Sequence, residues 1–381
     1  MALRALARVN LAAIERNVVA LRGRLVGGAE LCAVVKADAS GHGAVPVARA
    51  ALAGGATMLA VASAGEAAQL RAAGLTAPLL VLGAVSSEEL PVALDARAEL
   101  VAWDQRFVAE LSAAVSSREA PVQVHVKLDS GMGRLGTRDV EEGFAIAASI
   151  REGAPGLRLA GAMTHLATAD GDLDFAAAQL AVFTPFAAEL QRRFGRLRVH
   201  AANSAATLRV PASHFDMVRC GIALYGCDPM NEDPDATGLE QAMELSTYVA
   251  AVKPAQPGDS IGYGRRFIAQ RPTWIATMPI GYADGVRRGL TNNGEVLIDG
   301  RRYPLVGTVS MDNITADVGS ADGAEPEVAV GAAAILIGRS GHERQTVEDI
   351  AQRLGTINHE VLCGISARVP RRYHRDGTRV P

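Results

Sequence analysis

The sequence predicts an α/β fold, in which a (β/α)8 TIM-type barrel is followed by a mostly-β C-terminal domain. Three observations lead to this prediction. Eight short apolar runs alternate with helical patterns between residues 31 and 225, reactive polar residues follow several of these runs, and the pattern changes to β hairpins after residue 227. A chain of 381 residues is also long enough to bury two separate cores.

The eight apolar runs have the length of buried strands. They are 31–35, 58–62, 79–82, 99–102, 122–128, 159–163, 197–201 and 217–222. The alanine-rich stretches between them begin with helix-capping residues, as in the capping box Ser63–Glu66. Eight repeats within about 200 residues match the size of a barrel. An open doubly wound sheet is the competing architecture, but the chain lacks the glycine-rich first turn of dinucleotide-binding sheets.

A second domain follows a stretch rich in proline and aspartate, Cys227 to Asp235, which predicts a linker. Five β stretches are predicted after it, with one helix at 346–354; the strands are 247–252, 259–268, 273–280, 295–304 and 332–337. The pair Asp299-Gly300 predicts a two-residue hairpin turn. The sequence therefore predicts a barrel domain at residues 9–230 and a β-rich domain at 240–381, and residues 1–8 can pair with either.

Composition favours a cytoplasmic protein that acts on small molecules. The formal net charge is -3, which provides no electrostatic basis for binding nucleic acid or an anionic membrane. The four cysteines lack metal-binding spacing, so we expect reduced thiols and no metal site. We also find no secretory leader and no apolar run approaching the ~20 residues of a membrane span.

Lysine is rare in this chain, which contains three lysines and 35 arginines. One of them, Lys36, directly follows the first apolar run, within Ala33-Val-Val-Lys-Ala-Asp-Ala-Ser-Gly-His-Gly. An amine that loses its proton can attack a carbonyl, whereas a guanidinium has no accessible free base. The retained lysine therefore predicts covalent chemistry at Lys36.

Further polar residues follow or lie within the later runs. They are Lys127, Asp129, His165, Asn203, Ser204 and Arg219. In a parallel barrel the carboxyl ends of the strands share one rim, so these side chains are expected to converge on one pocket. Phosphate sites of barrels often lie after strands seven and eight, where the chain offers Asn203, Ser204 and the backbone at Gly221.

Several long motifs, in order and covering nearly the whole chain, resemble those of the alanine racemases. They are residues 33–43, 126–136, 163–170, 200–204, 217–226, Gly262-Tyr-Gly264, 279–285 and 309–312. The resemblance implies a pyridoxal 5'-phosphate enzyme that acts as a head-to-tail homodimer. Lys36 would hold the cofactor as a Schiff base and act as one catalytic base. Tyr263 of the partner subunit would be the second base, because racemisation removes a proton from one face of the α-carbon and delivers one to the other.

The resemblance also implies roles for the remaining site residues. The cofactor contacts would be His165, Ser204, Arg219, Gly221 and Ile222, joined by His359 and, from its position on the rim, Asn203. The substrate contacts would be Arg134, Met311 and Tyr282, supported by Asp312 and by Lys127, which carries a carbamate in many family members. Arg219 would donate to the pyridine nitrogen of the cofactor. Because arginine keeps its proton, that nitrogen would stay an acceptor and the ring a weaker electron sink.

The chain departs from the usual family pattern at three positions. Ser40 and His359 stand where the family usually has tyrosines near the phosphate and the entrance, and Thr308 replaces a common arginine. The leading expectation is racemisation of L- and D-alanine, supplying D-alanine for peptidoglycan. A serine or broader-specificity racemase is the alternative. A non-catalytic cofactor carrier is disfavoured by Tyr263, and a decarboxylase by Arg219.

Overall fold

The computed structural model describes residues 3–115, 120–152, 156–323 and 325–380. The chain divides into two compact units. The barrel unit contains Ile14–Ala39 and Gly43–Leu224, and the β unit contains Met1–Ala13, Ser40–His42 and Tyr225–Pro381. The first strand, β1 (Ala5–Asn10), belongs to the β unit.

Eight parallel strands form the barrel unit, one at each predicted apolar run. They are β2 Glu30–Val34, β3 Met58–Val61, β4 Leu79–Val81, β5 Leu100–Ala102, β6 Val122–Lys127, β7 Leu157–Met163, β8 Arg198–His200 and β9 Met217–Cys220. They run in the orders β4-β3-β2-β9 and β5-β6-β7-β8. The bridge Leu80–Glu99 joins β4 to the start of β5, and Asp216 donates its backbone N–H to Val199 O (3.0 Å) between β8 and β9. The predicted eight-stranded barrel is confirmed.

Helices alternate with these strands, as βα repeats require. They are α1 Leu11–Arg22, α3 Ala44–Ala53, α4 Ala64–Ala72, α5 Leu90–Asp95, α6 Gln105–Val115, α7 Val140–Glu152, α8 Leu173–Phe194 and α9 Ser204–Arg209, with α2, Lys36–Ser40, discussed below. Helix α8 has the length and apolarity of a membrane span. It also contains Pro185 and buries one apolar face that includes Phe183 and Leu190, which is typical of an outer helix of a barrel.

The barrel interior is apolar on one side and polar on the other. An apolar cluster fills it mainly from β2 to β5; it consists of Cys32, Val34, Met58, Ala60, Leu80, Val101, Met163 and Met217. Strands β6, β8 and β9 instead bury His125, Lys127, His200 and Arg219. The apolar side supplies the hydrophobic stabilisation, and the polar side is available for chemistry.

The residues after β2 form an unusual left-handed turn, α2. Four consecutive residues, Ala37 to Ser40, have φ between 51° and 54°. This conformation costs about 1–2 kcal/mol per residue for L-amino acids other than glycine. Within the barrel unit, Asp38 Oδ1 accepts from Ala44 N–H (2.7 Å) and Glu66 Oε1 accepts from Ala37 N–H (2.6 Å). The turn after Lys36 is therefore held by side chains on both sides.

The β unit contains one large sheet and two small ones. Its further strands are β10 Met243–Tyr248, β11 Ala251–Ala255, β12 Ser260–Ile261, β13 Phe267–Ile268, β14 Thr273–Met278, β15 Glu295–Ile298, β16 Arg301–Pro304, β17 Ile314–Ser320, β18 Ala333–Ser340, β19 Glu343–Gln345, β20 Arg371–Arg375 and β21 Thr378–Arg379. The large sheet has the order β16-β15-β18-β10-β1-β20-β21, with β19 on β18. The small sheets are β11-β14-β17 and β12-β13. The unit also contains helices α10 Val347–Leu354 and α11 Asn358–Cys363.

The predicted mostly-β character of this part of the chain is confirmed, with several corrections. The hairpin at Asp299-Gly300 joins β15 to β16 as expected. The predicted strand 259–268 is wrong, because a 3-10 turn at Tyr263–Arg265 divides it into β12 and β13. The sequence analysis also missed β17, β19, β20, β21 and α11. The stretch predicted as a linker is an ordered loop, in which the buried carboxylate of Asp228 accepts from the backbone N–H groups of Met230 and Glu232.

The remaining short helices are 3-10 turns. They are Pro211–Ser213, Ile222–Tyr225, Pro234–Thr237, Tyr263–Arg265 and Arg288–Leu290.

Glu66 has two structural functions that mutation can separate. Its Oε2 completes the predicted capping box with Ser63, and its Oε1 holds the Lys36 turn through Ala37. We expect Ser63→Ala to lower the free energy of unfolding by about 1 kcal/mol through loss of the cap. Glu66→Ala should cost about 1–2 kcal/mol more, because the backbone N–H groups of Ala37 and Ala62 also lose their acceptor. Urea unfolding of both variants measures this difference, and equal losses would show that the bonds to Ala37 and Ala62 contribute nothing.

Candidate active site

The carboxyl ends of the barrel strands bring five predicted residues to one rim. Lys36 follows β2, Lys127 ends β6, His165 follows β7, Ser204 follows β8, and Arg219 lies in β9. The charges of Lys36 and Arg219 both act on the pKa of Lys127, and those of Lys36, Lys127 and Arg219 act on the pKa of His165. The barrel thus assembles a strongly cationic site from residues far apart in the sequence.

Arg219 is the most constrained side chain of this rim. It is 3% exposed, and its Nη atoms make four hydrogen bonds. Nη1 contacts His200 Nδ1 (2.9 Å), and Nη2 contacts Thr164 O (2.9 Å), Ala201 O (3.0 Å) and His165 Nδ1 (3.1 Å). No described residue accepts from Nε, so this N–H can donate to a ligand. Burial lowers the pKa of Arg219 to about 10, which keeps it protonated at neutral pH.

His165 is an uncharged imidazole that accepts a hydrogen bond from Arg219. Its Nδ1 faces Arg219 Nη2, which can only donate, so we assign the ring proton to Nε2. Burial, followed by the charges of Arg219, Arg134 and Lys127, holds the pKa of His165 well below its usual value. The positive charge of the pair His165 and Arg219 therefore resides on Arg219.

The side-chain amine of Lys127 is buried, and no carboxylate of the described residues forms an ion pair with it. It is 4% exposed, and its Nζ has no hydrogen bond or ion pair among the described residues. Burial, followed by the charges of Arg219 and Arg134, lowers its pKa to about 8, although Asp129 acts in the opposite direction. At pH 8 about half of the molecules would then carry an uncharged amine at this position.

Arg134 lies on a loop that is folded around Asp129. The Asp129 carboxylate accepts from the backbone N–H groups of Gly131 (3.1 Å) and Gly133 (3.0 Å) and from Arg138 Nε (3.0 Å). Arg134 itself is exposed and is available to bind an anion. Asp129, which the sequence analysis placed on the rim, thus organises the loop that carries Arg134.

Ser204 and Gly221 meet at the predicted phosphate site. Ser204 Oγ accepts from the backbone N–H groups of Gly221 (3.0 Å) and Ala223 (3.4 Å), while its own hydroxyl proton is not donated to any described residue. Asn203 has a different environment. Its Oδ1 caps α9 through Ala206 N–H (3.0 Å), and its Nδ2 donates to Leu166 O (3.2 Å). The fold already uses both polar atoms of the Asn203 side chain.

The β unit carries the other predicted residues, three of them on neighbouring exposed loops. The side chains of Tyr263, Tyr282 and Met311 are 74%, 41% and 51% exposed, respectively. Thr308 Oγ1 donates to Tyr263 O (2.6 Å), and Tyr282 N–H donates to Ser310 O (2.9 Å). The loop that contains Thr308 and Met311 therefore fixes the backbone of both tyrosines. His359 lies on α11 of the same unit and is exposed.

A buried carboxylate that the sequence analysis missed supports these loops. Asp284 is fully buried, accepts from Gly281 N–H (2.9 Å) and is paired with Arg4 and Arg368. Arg368 also donates to Asp312 Oδ1 (2.7 Å). Asp284 lies in the motif 279–285, directly before a glycine with φ of 118°. Its position in that motif was the available sequence signal. In the described part of the chain, no group of three or more potential ligands is arranged to hold a metal ion.

Comparison with known families identifies both parts of the chain. A model of the alanine racemase N-terminal domain matches residues 9–229, and a model of the C-terminal domain matches residues 242–373. The alanine racemase of Geobacillus stearothermophilus is 43% identical over 372 residues, which cover 97% of this chain and 93% of the relative. Alanine racemase 2 of Caldanaerobacter subterraneus is 40% identical over 375 residues, covering 96% and 93%, respectively.

Solved structures agree with this result. Alanine racemase from Bacillus anthracis with bound L-Ala-P has a TM-score of 0.90 at 39% identity and covers 100% of this chain and 97% of that chain. Alanine racemase from E. faecalis has a TM-score of 0.90 at 34% identity and covers 98% and 100%, respectively. The resemblance seen in the motifs is confirmed, and the chain belongs to the alanine racemase family.

Proposed function

We propose that this protein interconverts L- and D-alanine with pyridoxal 5'-phosphate and that it supplies D-alanine for peptidoglycan synthesis in the cytoplasm. The observation that carries the proposal is the donor set of the rim. Arg219 keeps one N–H available for a ligand, beside Lys36 and the buried amine of Lys127. The names of the relatives favour alanine over the serine alternative.

The chemistry of the rim residues fits pyridoxal phosphate. Lys36 is an exposed amine suited to bond an aldehyde, Arg219 Nε can donate to a pyridine nitrogen, and Ser204 can donate its hydroxyl proton to a phosphate. Ile222 provides a backbone N–H beside Ser204, whereas the N–H of Gly221 donates to Ser204 Oγ. Gly221, His359 and Asn203 remain proposed contacts. When bound, the cofactor withdraws electrons from the α-carbon of the substrate and makes its proton acidic.

Two residues would move the proton. Lys36 would exchange it on one face of the α-carbon, and Tyr263 on the other. A free tyrosine has a pKa of ~10, so a phenolate needs stabilisation at neutral pH. The Nε2–H of His165, polarised by Arg219, is the available donor. We assign Tyr263 to the site of the partner subunit in a homodimer, because it lies with Tyr282 and Met311 among exposed side chains of the kind that subunit interfaces cover.

Arg219 would also determine the outcome of the reaction. Because Arg219 only donates, it would hold the pyridine nitrogen of the cofactor as an acceptor and so limit the electron withdrawal that the cofactor would supply. Lys36 and Tyr263 would then return a proton to the α-carbon rapidly. Arg134 and the backbone N–H of Met311 would hold the substrate carboxylate, with Tyr282 at the entrance, Asp312 supporting the Met311 loop, and a carbamate on Lys127 orienting Arg134.

The central test combines kinetics with chemical labelling of the purified protein. We expect racemisation of both alanine enantiomers and a much lower kcat/KM for serine. Borohydride reduction should fix the cofactor on Lys36, as identified by peptide mapping. Equal efficiency on serine would contradict the alanine assignment, and a label elsewhere would contradict the role of Lys36.

Tyr263→Phe should abolish proton exchange on one face of the α-carbon. Incorporation of deuterium from the solvent, measured separately with each enantiomer of alanine, reports this exchange.

The perturbed amine of Lys127 predicts a pH-dependent carbamate. Since carbon dioxide reacts with the free amine, occupancy should rise as the pH increases through about 8 and fall below it. Carbon-13 NMR with labelled bicarbonate measures this occupancy. Lys127→Arg is the matched control, because a guanidinium keeps the charge but cannot form the adduct. A signal of equal size in this variant would contradict the assignment.

The bond from Thr308 to Tyr263 predicts an effect on the second base. Thr308→Val should lower kcat/KM roughly fivefold, the equivalent of about 1 kcal/mol for one hydrogen bond, because the backbone of Tyr263 becomes less well held. Thr308→Ser keeps the hydroxyl and should retain nearly full activity. If the two variants behave alike in steady-state kinetics, the hydroxyl does not position Tyr263.

A further inference from the structure

A chain of hydrogen bonds inside the barrel connects Arg219 to a carboxylate near the amino ends of the strands. Arg219 Nη1 contacts His200 Nδ1 at 2.9 Å, and His200 Nε2 contacts His125 Nδ1 at 2.9 Å. His125 Nε2 in turn contacts Glu99 Oε2 at 2.7 Å. Both imidazoles are completely buried.

The donors along this chain permit only one arrangement of protons. Arginine cannot accept, so His200 Nδ1 must carry a lone pair, and its proton must be on Nε2. That proton points at His125 Nδ1, which must therefore accept, and so His125 carries its proton on Nε2. This last proton is donated to the Glu99 carboxylate. A second proton on either ring would place two donors against each other.

The surroundings support neutral rings with this orientation. Burial, followed by the charge of Arg219, holds the pKa of His200 well below its usual value. Gly161 on β7 provides the space for the His125 ring, because a Cβ atom at this position would lie 2.2 Å from His125 Nδ1. The absence of a side chain at this position of β7 thus leaves room for the imidazole ring of His125.

Glu99 is the end of the chain that meets solvent. It lines a cavity of about 550 Å³ together with residues near the amino ends of the strands, among them Glu30, Gln123, Arg158 and Arg198. Arg198 lies 3.9 Å from Glu99 and 3.6 Å from Glu30. Glu99 therefore lies at the opposite end of the barrel from Lys36, so a substitution of Glu99 does not alter the rim directly.

We propose that Glu99 and His125 are positioning residues for Arg219. The carboxylate of Glu99 accepts only, and it therefore orients both imidazoles so that His200 presents a lone pair to Arg219 Nη1. This contact is one of the four that hold the guanidinium, and it helps to keep Nε–H directed at the ring nitrogen of the cofactor. The inference rests on the proposed function, because Arg219 acts on that cofactor.

Removal of the acceptor at Glu99 would disturb the direction of the whole chain. Glu99→Gln keeps an acceptor, because its amide oxygen can accept from His125 Nε2–H and so preserve the direction. Glu99→Ala removes the acceptor, and both imidazoles can then carry their protons on Nδ1, which would place two donors against each other at Arg219. In Glu99→Ala a less restrained Arg219 would let the ring nitrogen become protonated, and more turnovers would end in transamination. That reaction converts alanine and the bound cofactor into equal amounts of pyruvate and pyridoxamine phosphate.

The test measures racemisation and pyruvate release in the same holoenzyme preparations. We expect Glu99→Ala to lower kcat roughly 10- to 100-fold and to raise pyruvate per racemisation turnover at least roughly tenfold, whereas Glu99→Gln, which keeps an acceptor for His125, should stay close to the wild type in both values. Glu30→Gln is the matched control, since Glu30 lines the same cavity and faces Arg198 but lies outside the chain of hydrogen bonds. It should behave like the wild type. A purely structural role for Glu99 would lower Tm without changing the pyruvate ratio.

Neutron diffraction of the wild-type holoenzyme tests the same inference without mutation. Deuterium on Nε2 of both His125 and His200, with none on either Nδ1, is the expected result. Deuterium on either Nδ1 would overturn the inference, as would a Glu99→Ala variant with a wild-type pyruvate ratio. If the wild type did not racemise alanine, the proposed function itself would be wrong, which separates the two failures.

Discussion

The buried positive charge of Arg219 determines how the rest of the site is arranged. Four neutral acceptors surround its Nη atoms, and no carboxylate among the described residues pairs with it. A buried charge without a counterion is costly, and its nearest charged neighbours, including Lys127 and Lys36, are also cations. The fold therefore maintains an excess of positive charge that an anionic ligand would neutralise. A phosphate on the cofactor and a carboxylate on the substrate match this need.

This arrangement depends on a division of the barrel interior. The apolar cluster of β2 to β5 provides the hydrophobic core, so β6, β8 and β9 can bury polar side chains without leaving the barrel empty. On the apolar side, Lys36 begins a left-handed turn of small residues held by Asp38 and Glu66. Backbone strain of this kind is found where a functional group must be held in one place.

The sequence predicted the strands, helices and motifs that are recognisable from residues close together in the chain. Eight apolar runs were sufficient for the barrel, and the motifs were sufficient for the family. Strand β20, with the sequence Arg-Arg-Tyr-His-Arg, was missed because its pairing with β1 comes from the distant start of the chain. The bond from Thr308 to Tyr263 and the direction of the proton chain from Glu99 could not be predicted either. Both depend on distances between residues that are separated by 26 to 75 positions.

The scarcity of lysine has a practical consequence for attaching this protein to a surface. Reagents that acylate amines have three lysine side chains to choose from. Lys127 is buried, and Lys36 would be protected by a bound cofactor. Lys253 on β11 is exposed and lies outside the proposed catalytic machinery. Amine coupling of the holoenzyme would then use a single side-chain position besides the α-amino group of the chain, which limits the orientations of the immobilised molecules without any engineered tag.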